Sequence, residues 1–371
     1  MTKWLKREIL KKLNGVHSTL LKLPLMRVHP DEKQKCGDRV FAILIDSGTT
    51  NSRIRLIDKG TNQIKDIEKV RIGVRNTAID GHNDELKSHL HTGLGYLLKR
   101  NHLEASDIEY IVASGMITSN LGLYEIPHIL APVAVEDFVR NSKVVALKEF
   151  YDIPCIFVPG MRNGVTDDHP VEMINQFDVM RGEEVESIGL MKQLDLHGKG
   201  ILVLPGSHTK FVIVDRDQSL SSCLSTLGGE TLMAMQKETI LSDSISPKLV
   251  QSVDKDMLIK GFEAAKKYGL TRSFYHIRLL QLFADLTDNE RANYFVGSVI
   301  YDDIQALLGS VEGIGDVEWI VVGGTNPLRQ SFAYLLNQMS TKWSVIEADD
   351  LQVEYSLVIG AQEIAKKMFK N

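Results

Sequence analysis

The segment Ile43-Leu-Ile-Asp-Ser-Gly-Thr-Thr-Asn-Ser-Arg-Ile-Arg-Leu-Ile-Asp58 reads as an apolar strand, a turn of Gly, Ser and Thr, and a second strand. Phe41–Asp46 is a short apolar run ending in an acid, and Ser52–Asp58 alternates as a half-buried strand does. Further along, Leu202-Val-Leu-Pro-Gly-Ser-His-Thr-Lys-Phe-Val-Ile-Val-Asp215 repeats the plan, down to the closing Asp. Two unrelated hairpins would be the plainer reading, but the shared turn chemistry favours a duplication. Two similar domains facing a cleft are the expectation.

Between and around the hairpins, strands and helices alternate. Helices are expected over Glu85–Arg100, Val179–Gln193, Val253–Lys267, Phe295–Leu308 and Ser356–Phe369. Strands are expected over Tyr110–Ala113, Ile156–Val158, Ile201–Leu204, Phe211–Asp215 and Trp319–Val322. This mixture is that of an α/β protein.

With 371 residues, 43% of them hydrophobic and 25% charged, the chain is long enough for two or three domains and ordinary in composition. Forty-three basic against 48 acidic residues leave a net charge of −5, which argues against a nucleic-acid binder. Cys36, Cys155 and Cys223 form no CxxC pair, so neither a disulfide scaffold nor a thiolate zinc site is indicated, and a reducing, cytoplasmic location suits them. No apolar run reaches the roughly 18 residues that a membrane span needs. Residues 1–37 stand apart, with nine basic and three acidic residues, a net of +6. Trp4, Leu5, Ile9, Leu10 and Leu13 fall near helical spacing, giving a basic amphipathic extension. A solvated segment is the expectation for it, with a membrane surface or a homodimer contact as the alternatives.

A turn rich in Gly and Thr gathers backbone N–H groups and hydroxyls into a concavity suited to an anion. Asp46, at the strand end beside such a turn, is placed to hold a phosphate-bound Mg²⁺ directly or through water. Facing hairpins would grip a polyphosphate from two sides. Neither a Walker A sequence nor G-x-G-x-x-G occurs, so P-loop and Rossmann readings have no support.

Asp46-Ser-Gly-Thr-Thr-Asn-Ser-Arg53 resembles the first phosphate motif of the actin/hexokinase/Hsp70 superfamily, Gly206-Ser-His-Thr-Lys210 its second, and Val321-Val-Gly-Gly-Thr-Asn-Pro-Leu328 its adenosine loop. Within it the chain is most similar to the 2-dehydro-3-deoxygalactonokinase family. The segments carrying that resemblance are Ala113-Ser-Gly-Met-Ile-Thr-Ser-Asn120, Asp178-Val-Met-Arg-Gly-Glu-Glu184, Leu204-Pro-Gly-Ser-His-Thr-Lys210 and Ser356-Leu-Val-Ile-Gly-Ala-Gln362. Ser47 and Phe211 stand where the family usually has Trp, and Leu227-Gly-Gly-Glu230 where Thr-Gly-Glu is usual. The resemblance implies two ribonuclease-H-like domains flanking an ATP-binding cleft. The first spans 38–197 with the closing helix 356–371, and the second spans 198–355. It also implies ATP- and Mg²⁺-dependent phosphorylation of the terminal hydroxyl of 2-dehydro-3-deoxy-D-galactonate, a step in galactonate catabolism that feeds an aldolase. A kinase for another 2-keto sugar acid, or a catalytically silent nucleotide sensor of the same fold, are the rival readings.

Carried onto this sequence, the resemblance assigns ATP and phosphate to Asp46, Gly48, Thr49, Thr50, Gly206, Ser207, His208, Thr209, Lys210, Gly323, Gly324 and Thr325. Glu183, just after Gly182 at a helix start, is the candidate base, with Glu184 and Asp178 behind it. A carboxylate there also steadies a first helical turn, which is its purely structural alternative. Arg181 is the expected grip on the substrate carboxylate, since a guanidinium holds one bidentately. Asn51, Arg53 and Asn120 complete the expected substrate set. Their alternatives are local: Arg53 pairing with Asp58, Asn120 capping a turn, His208 bracing its own loop.

Overall fold

The computed structural model describes residues 40–164, 171–310, 314–339 and 342–369. The basic extension at 1–37 lies outside the described residues. In chain order the strands are β1 (Phe41–Ser47), β2 (Ser52–Asp58), β3 (Ile64–Val70), β4 (Ile108–Gly115), β5 (Ile129–Leu130), β6 (Lys143–Ala146), β7 (Pro154–Phe157), β8 (Met161–Arg162) and β9 (Val179–Met180). They continue with β10 (Gly200–Leu204), β11 (Thr209–Val214), β12 (Leu220–Thr226), β13 (Trp319–Val322) and β14 (Ser344–Glu347).

One sheet has the order β3-β2-β1-β4-β7-β6 and a second the order β12-β11-β10-β13-β14. The directions match as well. β1 runs antiparallel to β2 and parallel to β4, as β10 runs antiparallel to β11 and parallel to β13. The duplication expected from the two hairpins is therefore present in the strand order, apart from the extra antiparallel edge strand β6.

β1 is buried on both faces, which is why its sequence is apolar almost throughout. Ile43 and Ile45 pack outward with Leu86, Leu90 and Leu94 of the helix Asp84–Arg100. Ala42 and Leu44 face inward to a core shared with Val185, Ile188, Val358, Ala361 and Ile364, and with Leu202, Val212 and Val321 of the second sheet. The helices Glu183–Leu194 and Asp350–Phe369 thus lie between the two sheets, and a third cluster covers the outer face of the second sheet.

Those two helices touch backbone to backbone. A Cβ on Gly189 would overlap the Ser356 carbonyl, and one on Gly360 the Val185 carbonyl. The closing helix begins at Asp350, ahead of the expected Ser356, so the expected boundary at 355 falls inside it. The expected helix over Val179–Gln193 is corrected to Glu183–Leu194. Val179–Met180 is strand β9, and Gly182, at φ 117°, breaks the chain between them. Only glycine adopts that backbone without strain.

A small three-stranded ribbon, β5-β8-β9, completes the fold. Asn163 stitches it to the second sheet, donating to the Cys223 carbonyl and accepting from its amide. Among the described residues no helix is long and apolar enough to cross a membrane.

Candidate active site

Asp46 ends the inward-facing series of β1 and sits opposite Arg53 of β2. The Arg53 guanidinium lies 3.6 Å from the Asp46 carboxylate, so its partner is Asp46 rather than Asp58. Burial pushes the Asp46 carboxyl above the usual range, against the pull of Arg55 and Arg53. The turn that follows is exposed at Gly48, Thr49, Thr50 and Asn51 and closed by the Gly48 amide donating to the Asn51 carbonyl at 2.9 Å. It is held from behind by the helix Val74–Asp80, whose Arg75 amide donates to the Thr49 carbonyl at 2.9 Å. Among the described residues the Thr49 and Thr50 hydroxyls have no protein partner, which leaves them open to an anion.

Glu183 is brought to the same corner by two glycines. Gly182 lies against Gly115 at the end of β4, with 3.1 Å between the Gly115 Cα and the place a Gly182 Cβ would take. Gly115, at φ 83°, in turn crowds the Ser47 carbonyl, where a Cβ would come within 2.5 Å. Glu183 opens its helix there, half-buried, its Oε2 accepting from the Arg181 amide at 3.0 Å.

One turn on, Glu186 is a residue that sequence reasoning missed. Its pKa is pushed up to about 7 by burial and by the neighbouring Glu183 and Asp46, while the Gly324 amide lies against it. The signal was present as i, i+3 spacing from Glu183 on one helix face. Arg55 was missed as well. It is buried on the inward face of β2, Nε and Nη1 have no hydrogen-bond partner among the described residues, and Asp46, Glu354 and Glu186 are the acids acting on it. Alternation with Arg53 could have placed it.

Several expected chemical groups prove to be committed to structure. Both Glu184 oxygens accept backbone amides at 2.6 Å, from Met161 and from Gly182, and burial with the adjacent Glu183 raises its pKa to about 7. Asp178 accepts from the Ser225 amide at 2.5 Å and the Ser225 hydroxyl at 2.7 Å. Lys210 is buried in β11, not in the turn, and donates to the Val179 carbonyl at 2.9 Å and to Ser225 Oγ at 2.5 Å. Arg181 spends Nη1 on the Thr118 carbonyl and hydroxyl, both at 2.7 Å, and Nη2 on the Ile126 carbonyl at 3.0 Å and His128 Nδ1 at 3.2 Å. It clamps the loop after β4.

The second turn exposes Gly206, Ser207 and His208 at the start of the helix Gly228–Glu238. The Glu230 amide donates to the Ser207 carbonyl at 2.8 Å, and His208 Nε2 lies 3.2 Å from the Glu230 carboxylate. Thr209 is buried and donates to Asp303 at 2.9 Å, an acid whose pKa burial raises to about 6. Nothing in the local sequence marked Asp303, which comes from the distant helix Asp288–Ser310. The loop at Gly323, Gly324 and Thr325 lies beside this turn. The Gly323 amide donates to the Val203 carbonyl at 2.9 Å, and a Cβ on Gly324 would come within 2.6 Å of the Pro205 carbonyl. Asn120 is exposed at the end of the loop after β4, with no partner among the described residues.

Both hairpin turns, the glycine loop and a carboxylate trio of Asp46, Glu183 and Glu186 therefore occupy one region. A family model described as 2-keto-3-deoxy-galactonokinase matches residues 46–355. The chain belongs to that family. Among solved structures, a Sinorhizobium meliloti protein assigned as a 2-dehydro-3-deoxygalactonokinase matches at a TM-score of 0.68 with 19% identity, over 89% of this chain and 97% of that one. The activator of 2-hydroxyisocaproyl-CoA dehydratase from Clostridium difficile matches at 0.47 with 14% identity, over 89% and 97%. No curated protein matches the chain in sequence. Membership of the 2-keto-3-deoxy-galactonokinase family makes this a phosphotransferase of the carbohydrate-kinase type, and the Sinorhizobium meliloti structure shares its α/β fold.

The galactonokinase-family site has a stability signature. Glu184 and Glu186, raised from 4.5 to about 7, bind protons in the folded chain that the unfolded chain has released. Their contribution is full below about pH 4.5 and is lost as pH rises through about 7. His128 acts oppositely. Burial, with Arg181 and Arg162, lowers it from 6.5 to about 4, so its cost appears only below about pH 6.5. Between pH 8 and pH 6.5 the two carboxylates outweigh the onset of the histidine cost, and acidification is expected to stabilise the fold by about 1 kcal/mol. Urea unfolding at the two pH values measures this; equal midpoints would contradict the raised carboxylates.

Proposed function

We propose that this protein uses ATP to phosphorylate the terminal hydroxyl of 2-dehydro-3-deoxy-D-galactonate, giving the 6-phosphate. The observation that carries the reading is the Gly182–Gly115 contact, which sets the helix start at Glu183 against the end of β4, next to the end of β1, where Glu183 and Asp46 both act on Glu186. In this reading the two turns take the phosphates and the Gly323–Gly324 loop takes the adenosine. Asn51 and Asn120, both exposed beside the site, face the sugar hydroxyls. Glu183 accepts the hydroxyl proton as the oxygen attacks, since Glu184 and Asp178 are held by backbone amides and Ser225. The domain division near residues 197 and 198, with the last helix returning to the first domain, belongs to the same reading.

The donor set fits Mg²⁺. Among the described residues no group of three or more His, Cys, Asp or Glu is arranged to hold a metal. A Mg²⁺ ion carried by ATP needs only one or two carboxylates beside phosphate oxygens and water. Asp46, half-buried at the turn, supplies that carboxylate, and the ion would neutralise phosphate charge as the phosphoryl group transfers.

The test is coupled ADP release from Mg·ATP with 2-dehydro-3-deoxy-D-galactonate, its gluconate epimer and a blank. Turnover on the galactonate acid alone is expected. Equal turnover on both epimers would leave a kinase of broader 2-keto sugar-acid specificity. No turnover, with ATP still bound, would replace the kinase by a nucleotide-binding sensor.

A further inference from the structure

We propose that Arg162, with the Nε2–H of His128, forms the subsite that grips the carboxylate of the sugar acid. The inference rests on the sugar-acid kinase reading and names a group within it. A bidentate grip needs two free donors on one edge of a guanidinium. Arg181 cannot offer them, because both terminal nitrogens are already bonded to Thr118, Ile126 and His128. What Arg181 does is orient its neighbour. His128 Nδ1 faces the Arg181 donor at 3.2 Å and must accept, which leaves the ring proton on Nε2. Burial with Arg181 and Arg162 nearby keeps that ring neutral, its pKa lowered to about 4, so it is a hydrogen-bond donor without a charge at neutral pH.

The ribbon's register puts Arg162 on the same side. Met161 pairs with Ile129 and Met180, and Met161 and Met180 are buried in the shared core. Arg162 pairs with Leu130 and Val179, which are 41% and 52% exposed, so the alternate face looks to solvent. Arg162 is half-buried on it, and its guanidinium has no hydrogen-bond or ion-pair partner among the described residues. A cation held beside an oriented neutral donor suits a carboxylate. Of the acids nearby, Glu184 and Glu125 act on Arg181, and Asp178 is bonded to Ser225. Spacing fits as well. Val179, across from Arg162, precedes Glu183 by four residues, at most about 13 Å of extended backbone. An arginine side chain and a six-carbon acid together cover that span, with the carboxylate at Arg162 and the terminal hydroxyl at Glu183.

Kinetics on the full chain test this, with wild type measured first. Wild type inactive on every 2-keto sugar acid would remove the function itself, and this subsite with it, before any variant is made. With wild type active, Arg162→Met is expected to raise KM for the acid about a hundredfold while KM for ATP and Tm stay put. Arg162→Lys should restore part of the loss. An analogue with a primary alcohol in place of the carboxylate should be used equally by wild type and Arg162→Met. An unchanged acid KM in Arg162→Met, or equal losses on acid and alcohol, would overturn the subsite while leaving the kinase intact.

Discussion

A Glu183→Gln enzyme is expected to bind Mg·ATP and sugar acid nearly as wild type does and to turn over about 10²–10⁴-fold more slowly. The substitution keeps shape and keeps an oxygen to accept the Arg181 amide, now 3.0 Å from Oε2, so the helix start should survive. It loses a favourable charge at a helix N-terminus, about 0.3–1 kcal/mol, a small shift in Tm. What it removes is the group that takes the hydroxyl proton. No other candidate stands equally free. Glu184 is tied to the Met161 and Gly182 amides and Asp178 to Ser225, while Glu186 has the Gly324 amide against it. Single-turnover measurement of kcat with both substrates saturating separates this from a binding defect. A kcat within threefold of wild type would exclude Glu183 as the base and turn attention to Glu186, the remaining carboxylate of the trio.

The fold was legible because its signals are local. Ile43, Ile45, Leu202 and Leu204 lie in strands buried on both faces, and each strand runs into a glycine-bearing turn, so strand, turn and duplication can be read without tertiary knowledge. The turn residues and Glu183 sit where the motifs suggested for the same reason. Lys210, Asp178 and Arg181 were harder. Each is a charged residue in a suggestive motif, and each is satisfied by a partner distant in sequence: Val179, Ser225, and Thr118 with Ile126. No local pattern reveals that a charge is already spent. The split of Val179–Gln193 into strand and helix turned on Gly182, whose positive φ is set by its packing on Gly115. Arg55 and Glu186 are the converse case, since strand alternation and helical spacing mark both but only burial shows that they matter.

Gly189→Ala is expected to destabilise the fold by about 3 kcal/mol, the upper end of what overpacking usually costs. Elsewhere in a helix the same change helps, because alanine loses less backbone entropy than glycine, a gain of about 0.5–1 kcal/mol. Here that gain is overridden. The new Cβ would overlap the backbone carbonyl of Ser356, which has no rotamer with which to move aside, and the crossing is equally tight at Gly360 against the Val185 carbonyl. The helices Glu183–Leu194 and Asp350–Phe369 must therefore separate. Because Glu183 and Glu186 ride on the first of them, separation also draws the carboxylates away from Asp46 and the Gly324 amide. A displacement near 1 Å is enough to cost roughly a hundredfold in rate, so activity and stability should fall together. Gly309, exposed in the helix Asp288–Ser310 with no described atom within 4 Å of an added Cβ, supplies the opposite sign. Gly309→Ala should leave activity alone and stabilise by about 0.5 kcal/mol or slightly more. Urea unfolding of both variants with parallel kcat/KM values decides the matter: if Gly189→Ala tracks Gly309→Ala, the crossing has slack and does not set the geometry of the site.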